Sequence, residues 1–318
     1  MKIVDLTGEY KKQILEKNDL GAYEASYPAL FGHYFKYWAK RNLFKKTLNA
    51  KEADVRKRTI LSRLKFIEKK FKDAGFDISK LKIILFVGQN TTNGHVFYDG
   101  GEFMVWLPIE AYKTRLQADV FISHEIIHGL HYSQNPAFYF GKLKSLQDII
   151  VGDNLIAEGL ATFATKEILG VNDGIALWAD YISGSQIRAW LKQCEKRQKE
   201  LFKWLDSHFD SKLGKSELFG GLDTSDIFHS RGGYWAGLKI IEEIAKAGTQ
   251  RARRFAKDAK EIMGFSHYQL SAFTVLANGA RKAGGPVWFM RARCLSITFA
   301  AFADLCARCV KDFSVKHV

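Results

Sequence analysis

Apolar positions along the chain change their spacing several times, and each change marks an element. Ile60, Leu64, Ile67 and Phe71 recur every three or four residues, which predicts an amphipathic helix. Leu81 to Val87 is an unbroken apolar run of the length of a fully buried strand. Val96 to Tyr98 and Phe103 to Leu107 flank Asp99-Gly100-Gly101 and predict a hairpin. Helical spacing then returns. Ala118 to Ser123, followed by Ile126, Ile127 and Leu130, predicts a buried helix of about four turns that stops after Asn135, ahead of Pro136. Leu155, Ile156, Leu160 and Phe163 predict another, with Asp153 or Asn154 able to cap it. Residues 173–206 read as helical and 211–230 as a connection rich in Gly, Ser and Asp. Further helices are expected at about 234–247, 250–262 and 266–278.

These elements add up to a mainly helical α+β protein with a small antiparallel or mixed sheet beside the helix at 118–135. Three regions are expected: a basic helical N-terminal region over 1–79, a central domain over 80–283, and an apolar C-terminal segment over 284–318. In that last segment Val287 to Met290 and Leu295 to Leu305 are apolar but interrupted by Arg and Asp. Such a tract is too short and broken for a membrane span and reads as a helix docked on the body.

Composition sharpens the picture in two places. Hydrophobic residues make up 47% of the 318 positions, enough for a substantial core and against a disordered chain. The net charge of +14 is concentrated: residues 36–73 hold fourteen Lys or Arg against four Asp or Glu, a local net of +10. A solvated helix face accounts for this; docking to nucleic acid or an anionic membrane surface is the sharper alternative, without a base-reading motif to support it. Cys194, Cys294, Cys306 and Cys309 form no extracellular disulfide framework, and no apolar signal segment follows Lys2, so a cytoplasmic protein is expected.

The candidate chemistry lies in His124-Glu125-Ile126-Ile127-His128. Two histidines four apart share a helix face and can hold one ion, while the glutamate between them sits beside it as a general base. A catalytic zinc takes three protein ligands and keeps one position open. Position 134 is Gln, and His131 falls on the next turn, past the ion. Glu158, among Ala157, Gly159 and Ala161, is the better third donor; Asp148 and Asp153 compete but read as loop or cap residues. Small residues around Glu158 would let its backbone approach the first helix, and Thr162 could orient a ligand imidazole. Tyr234, after the Gly232-Gly233 pair, and His229 are the candidate donors to an oxyanion. Arg231 is a possible partner for a substrate carboxylate. The segments His95 to Tyr98 and Phe103 to Leu107 are candidates for a strand that pairs with an extended peptide.

The motif at 124–128, followed by Glu158-Gly159-Leu160-Ala161, resembles the gluzincin metallopeptidases. More narrowly, the chain is similar over roughly 80–245 to an uncharacterised bacterial family of predicted zinc-dependent proteases. That family carries a later Gly-Tyr motif like Arg231-Gly232-Gly233-Tyr234-Trp235-Ala236-Gly237. The resemblance implies a zincin-like domain, Zn2+ on His124, His128 and Glu158, Glu125 as base, and a peptide or protein substrate. Thr162 stands where thermolysin-like members often carry an acidic residue. Two other classes fit the same residues: a metal-containing protein that docks an anionic partner through its basic helices, and a metal-stabilised interaction module with no open coordination position.

Overall fold

The structure is a computed structural model that describes residues 1–246 apart from 217 and 222. The expected helices at 250–262 and 266–278 and the apolar tail from Gly284 lie outside the described residues. The chain divides into two compact units, Met1–Gly237 and Leu238–Val318. In the second, residues 238–246 are helical. Every candidate site residue lies in the first.

The protein is α+β and mainly helical, with one four-stranded mixed sheet. Strands β1 (Lys2–Asp5), β2 (Lys82–Phe86), β3 (His95–Asp99) and β4 (Glu102–Pro108) lie in the order β1-β2-β4-β3. β1 and β4 run parallel to β2, and β3 runs antiparallel to β4. The β3–β4 turn is the anticipated hairpin: Gly100 and Gly101 both have positive φ, 59° and 88°, as the tightest hairpin turns require. The apolar run at 81–87 forms the interior strand β2, buried from Ile83 onward. β1 is the unexpected member, four residues long and mostly exposed. It is held by parallel pairing to a strand some eighty residues away.

Helices cover the sheet. α1 (Thr7–Glu9) runs into a π-helical stretch, Tyr10–Glu16, and α2 (Leu20–Ala25) and α3 (Pro28–Tyr37) follow. Tyr23, Phe31 and Tyr34 from these helices meet Phe86 and Trp106 of the sheet in a cluster of edge-on rings, with centroids 4.7–5.8 Å apart. α4 (Ala50–Asp73) is the basic amphipathic helix. Asn49 and Glu52 form a reciprocal capping box at its start, and Ile60, Leu64, Ile67 and Phe71 form its buried stripe. Part of its charge is matched within the protein: Lys57 pairs with Asp5, and Arg63 grips both carboxylate oxygens of Asp119 at 2.6 and 2.8 Å.

α5 (Arg115–Gln134) starts at the Thr114 cap and ends at Asn135, before Pro136. It is buried on nearly all sides, between the sheet, α4 and α6 (Val151–Leu169). α6 begins earlier than expected. Ile150 precedes it without a side-chain cap, and its first amides, Val151 and Gly152, bond instead to the carbonyls of Ser211 and Phe209. The stretch at 173–206 is three helices, α7 (Asp173–Trp178), α8 (Gly184–Lys196) and α9 (Gln198–His208). The first break falls where Ala179 turns to φ 48°, with Asp180 bonded by Thr114 and Tyr181 bonded to the Ala111 carbonyl. Among the described residues no helix is long and apolar enough to cross a membrane.

The loop after β2 is fixed by side chains. The Tyr23 hydroxyl takes the Val87 amide, the Tyr34 hydroxyl takes that of Gln89, and the buried Glu110 carboxylate accepts from Gly88 and Asn90 at 3.0 and 2.9 Å. Burial pushes the Glu110 carboxyl up, and the two amides oppose that shift. Replacing Glu110 by Gln turns an amide group against one of these N–H donors. A loss of about 1–3 kcal/mol in urea unfolding is expected; an unchanged midpoint would show that the loop does not depend on this carboxylate.

Candidate metal centre

α5 carries His124, Glu125 and His128 into the interior, and α6 brings Glu158 to meet them. The His124 Nε2 lies 3.0 Å from the His128 Nε2 and 3.0 Å from the Glu158 Oε2; the His128 Nε2 lies 3.3 Å from the same oxygen. Among the described residues this is the one His, Cys, Asp or Glu group whose donor atoms converge closely enough to hold a metal. Four bonds of about 2.0–2.1 Å at tetrahedral angles separate neighbouring donors by roughly 3.3 Å, so the trio fits a zinc ion. Two imidazole nitrogens facing one carboxylate oxygen is also the chemistry zinc prefers.

The electrostatics follow from burial. Desolvation pulls His124 down to about 4, against the pull of Glu158. Glu158 is desolvated too, but the charge of His128 and hydrogen bonds from both histidines hold it well below the usual carboxylate range. Glu125 is compensated less. Burial raises its pKa to about 7; the His128 and Arg231 charges oppose the rise and the Glu158 charge adds to it. Its Oε2 has no hydrogen-bond partner, and the His95 Nδ1 stands 3.7 Å from it. A desolvated carboxylate oxygen without a partner is costly unless something protic reaches it.

A cleft of about 260 Å³, including its open mouth, lies against this group. His124 and Glu125 line it together with Thr162, Arg231 and Tyr234. Thr162, buried on α6, thus faces the cleft. Tyr234 stands with its ring 6.0 Å from that of His124. Burial and the Glu158 charge keep its phenol well above its ordinary range, hence protonated. His229 is elsewhere: it is exposed on the preceding loop and does not line the cleft. Asp148 pairs with Lys212 and Asp153 is exposed at the start of α6 beside Asp210, so neither joins the trio. His131 is buried between Tyr132 and Phe138, outside the donor group.

Local packing explains why these parts meet. A Cβ on Gly159 would come within 2.4 Å of the Gly237 backbone, and one on Gly237 within 2.4 Å of the Leu155 carbonyl. α6 therefore crosses the helix that opens at 232 backbone to backbone, one residue after Glu158 and three after Tyr234. The small surface of α6 at Gly159 serves this contact rather than an approach to α5. β3 is the edge of the sheet, whereas β4 is an interior strand, so Phe103 to Leu107 cannot receive an added strand. His95 and Asn93 escaped the sequence reading as groups near the base. Their proximity arises from the crossing of β3 and its leading loop over α5, and the turn-forming Thr-Thr-Asn-Gly at 91–94 was the only local cue.

The chain belongs to the family described as Predicted Zn-dependent protease (DUF2268), whose model matches residues 59–264. No curated protein and no solved structure matches the chain.

Gly159→Ala should force the two backbones apart. Its expected effects are a stability loss of about 1–3 kcal/mol from overpacking and weaker zinc retention on dialysis, read by thermal melting and metal analysis. Wild-type values for both would mean that the crossing does not hold Glu158 in place.

Proposed function

We propose that the protein is a zinc-dependent peptidase, a reading carried by the convergence of His124, His128 and Glu158 beside the unpartnered Glu125 carboxylate. The family description supports the same class. A zinc ion held by the three residues would supply a Lewis acid for the scissile carbonyl and make water a better nucleophile at neutral pH.

The remaining work falls to the chain. Glu125, poised by burial near neutrality, accepts a proton from the attacking water and returns it to the departing amine. The C–N bond breaks as the water oxygen becomes part of the new carboxylate, so protons and atoms balance without another reactant. Tyr234, held protonated beside His124, donates a hydrogen bond to the oxygen that gains charge. Its position in the cleft supports it over His229 for this role. A cleft lined by His124 of the donor trio and by Glu125 also favours a catalytic site over a closed structural one.

Glu125→Gln should keep about one zinc per chain while kcat on a mixed peptide library falls by roughly 10²–10⁴. Hydrolysis at the parent rate would remove Glu125 as the base. Treatment of the wild type with a chelator should abolish turnover with only a small change in melting. Collapse of the fold on chelation would instead assign the metal a structural role.

A further inference from the structure

Arg231 occupies an unusual position. Its guanidinium lines the cleft that contains His124 and Glu125, and it lies 4.9 Å from the Tyr234 ring centroid, 5.2 Å from that of Phe121 and 5.3 Å from that of Trp178. One terminal nitrogen donates to the Leu177 carbonyl. Among the described residues no carboxylate pairs with it. Half-buried charges are ordinarily matched, and arginine offers five N–H donors in a planar fork suited to a carboxylate.

The backbone reinforces the placement. Arg231 has φ 56°, a left-handed conformation that side chains larger than glycine seldom adopt. The two residues after it leave no alternative path. A Cβ on Gly232 would meet the Ile227 carbonyl oxygen at 2.2 Å, and one on Gly233 the Phe219 ring at 2.4 Å. The Arg231 amide bonds to Gly220, and Trp190 bonds to the carbonyl of Ser230. The turn is therefore clamped on both sides and delivers the Arg231 charge to the cleft, near enough to Glu125 to favour its ionised form but without a direct ion pair among the described residues.

We infer that Arg231 is a specificity-determining residue that binds an anionic carboxylate of the substrate next to the scissile bond. Two sources share this chemistry: the free C-terminus of a peptide, which would make the protein trim single residues, or an Asp or Glu side chain. Phe121, Ala176 and Leu177 form the apolar part of the cleft lining beside Arg231. This inference rests on the peptidase reading for its catalytic consequence, but the carboxylate site itself does not require turnover.

The experiment uses four matched short peptides: free or amidated at the C-terminus, and with a neutral or an acidic residue at the end. Their binding to full-length Glu125→Gln protein is measured by calorimetry, with and without added zinc, and their hydrolysis is measured with the wild type. One carboxylate source should bind on the order of tenfold more tightly than its neutral counterpart. Adding Arg231→Gln should erase that ratio, whereas Arg231→Lys, which keeps the charge without the fork, should retain part of it. Loss of the ratio for the free terminus identifies a C-terminal site, and loss for the acidic residue identifies a side-chain site. Equal binding of all four peptides to the parent, or an undiminished ratio in Arg231→Gln of native melting behaviour, overturns the inference. So does a uniform fall in kcat across all four peptides with no change in the binding ratio, which would place Arg231 on the transition state. Carboxylate-selective binding without hydrolysis by the wild type would uphold the site and refute the peptidase.

Discussion

Two carboxylates removed from water, one balanced and one not, are the constraint around which this molecule is arranged. Glu158 keeps its charge because two imidazoles face it. Glu125, one residue from His124 on the same helix, has no equivalent partner. Both conditions require α5 to be buried on nearly every side. The flanking elements can be understood as what that burial demands: a sheet beneath, α4 tied to it by Arg63 and Asp119, and α6 against it. Four titratable groups inside a helix contact would destabilise an ordinary core. Here their mutual arrangement, and the cation it suits, offsets the cost.

What was legible in the sequence was what depends on short spacing. Histidines four apart on a helix need no tertiary information to share a face, and the small residues around Glu158 already marked a crowded contact. The hairpin at Gly100-Gly101 was equally plain, since only that turn chemistry places both residues at positive φ. The basic helix was visible too, but not the extent to which Asp5 and Asp119 answer its charge. Those partners lie 52 and 56 residues from the lysine and arginine they bind.

The rest resisted for one reason: it is set by contacts across long stretches of chain. β1 is four residues without alternation and gains its identity only from pairing with β2. The apolar pattern runs through 173–206 without a signal strong enough to show the break at Ala179, which Thr114 and Ala111 impose from outside. Nothing in its local sequence marks Glu110, yet it organises the amides that lead towards Asn93. Tyr234, and His229 five residues before it as the alternative, both stood open as donors. The clamped turn between them sends one into the cleft and leaves the other in solvent.

The crossing of Gly159 and Gly237 has a bearing on how such a cleft could be altered. Because neither backbone can yield without moving the other, the crossing works as a fixed jig for Glu158 and Tyr234. Ala176 and Leu177, on the short helix α7, line the cleft without taking part in that crossing, and the Leu177 carbonyl holds the Arg231 side chain. A change in the width of the cleft at α7 therefore acts first on where the guanidinium sits, while Glu158 and Tyr234 keep their spacing.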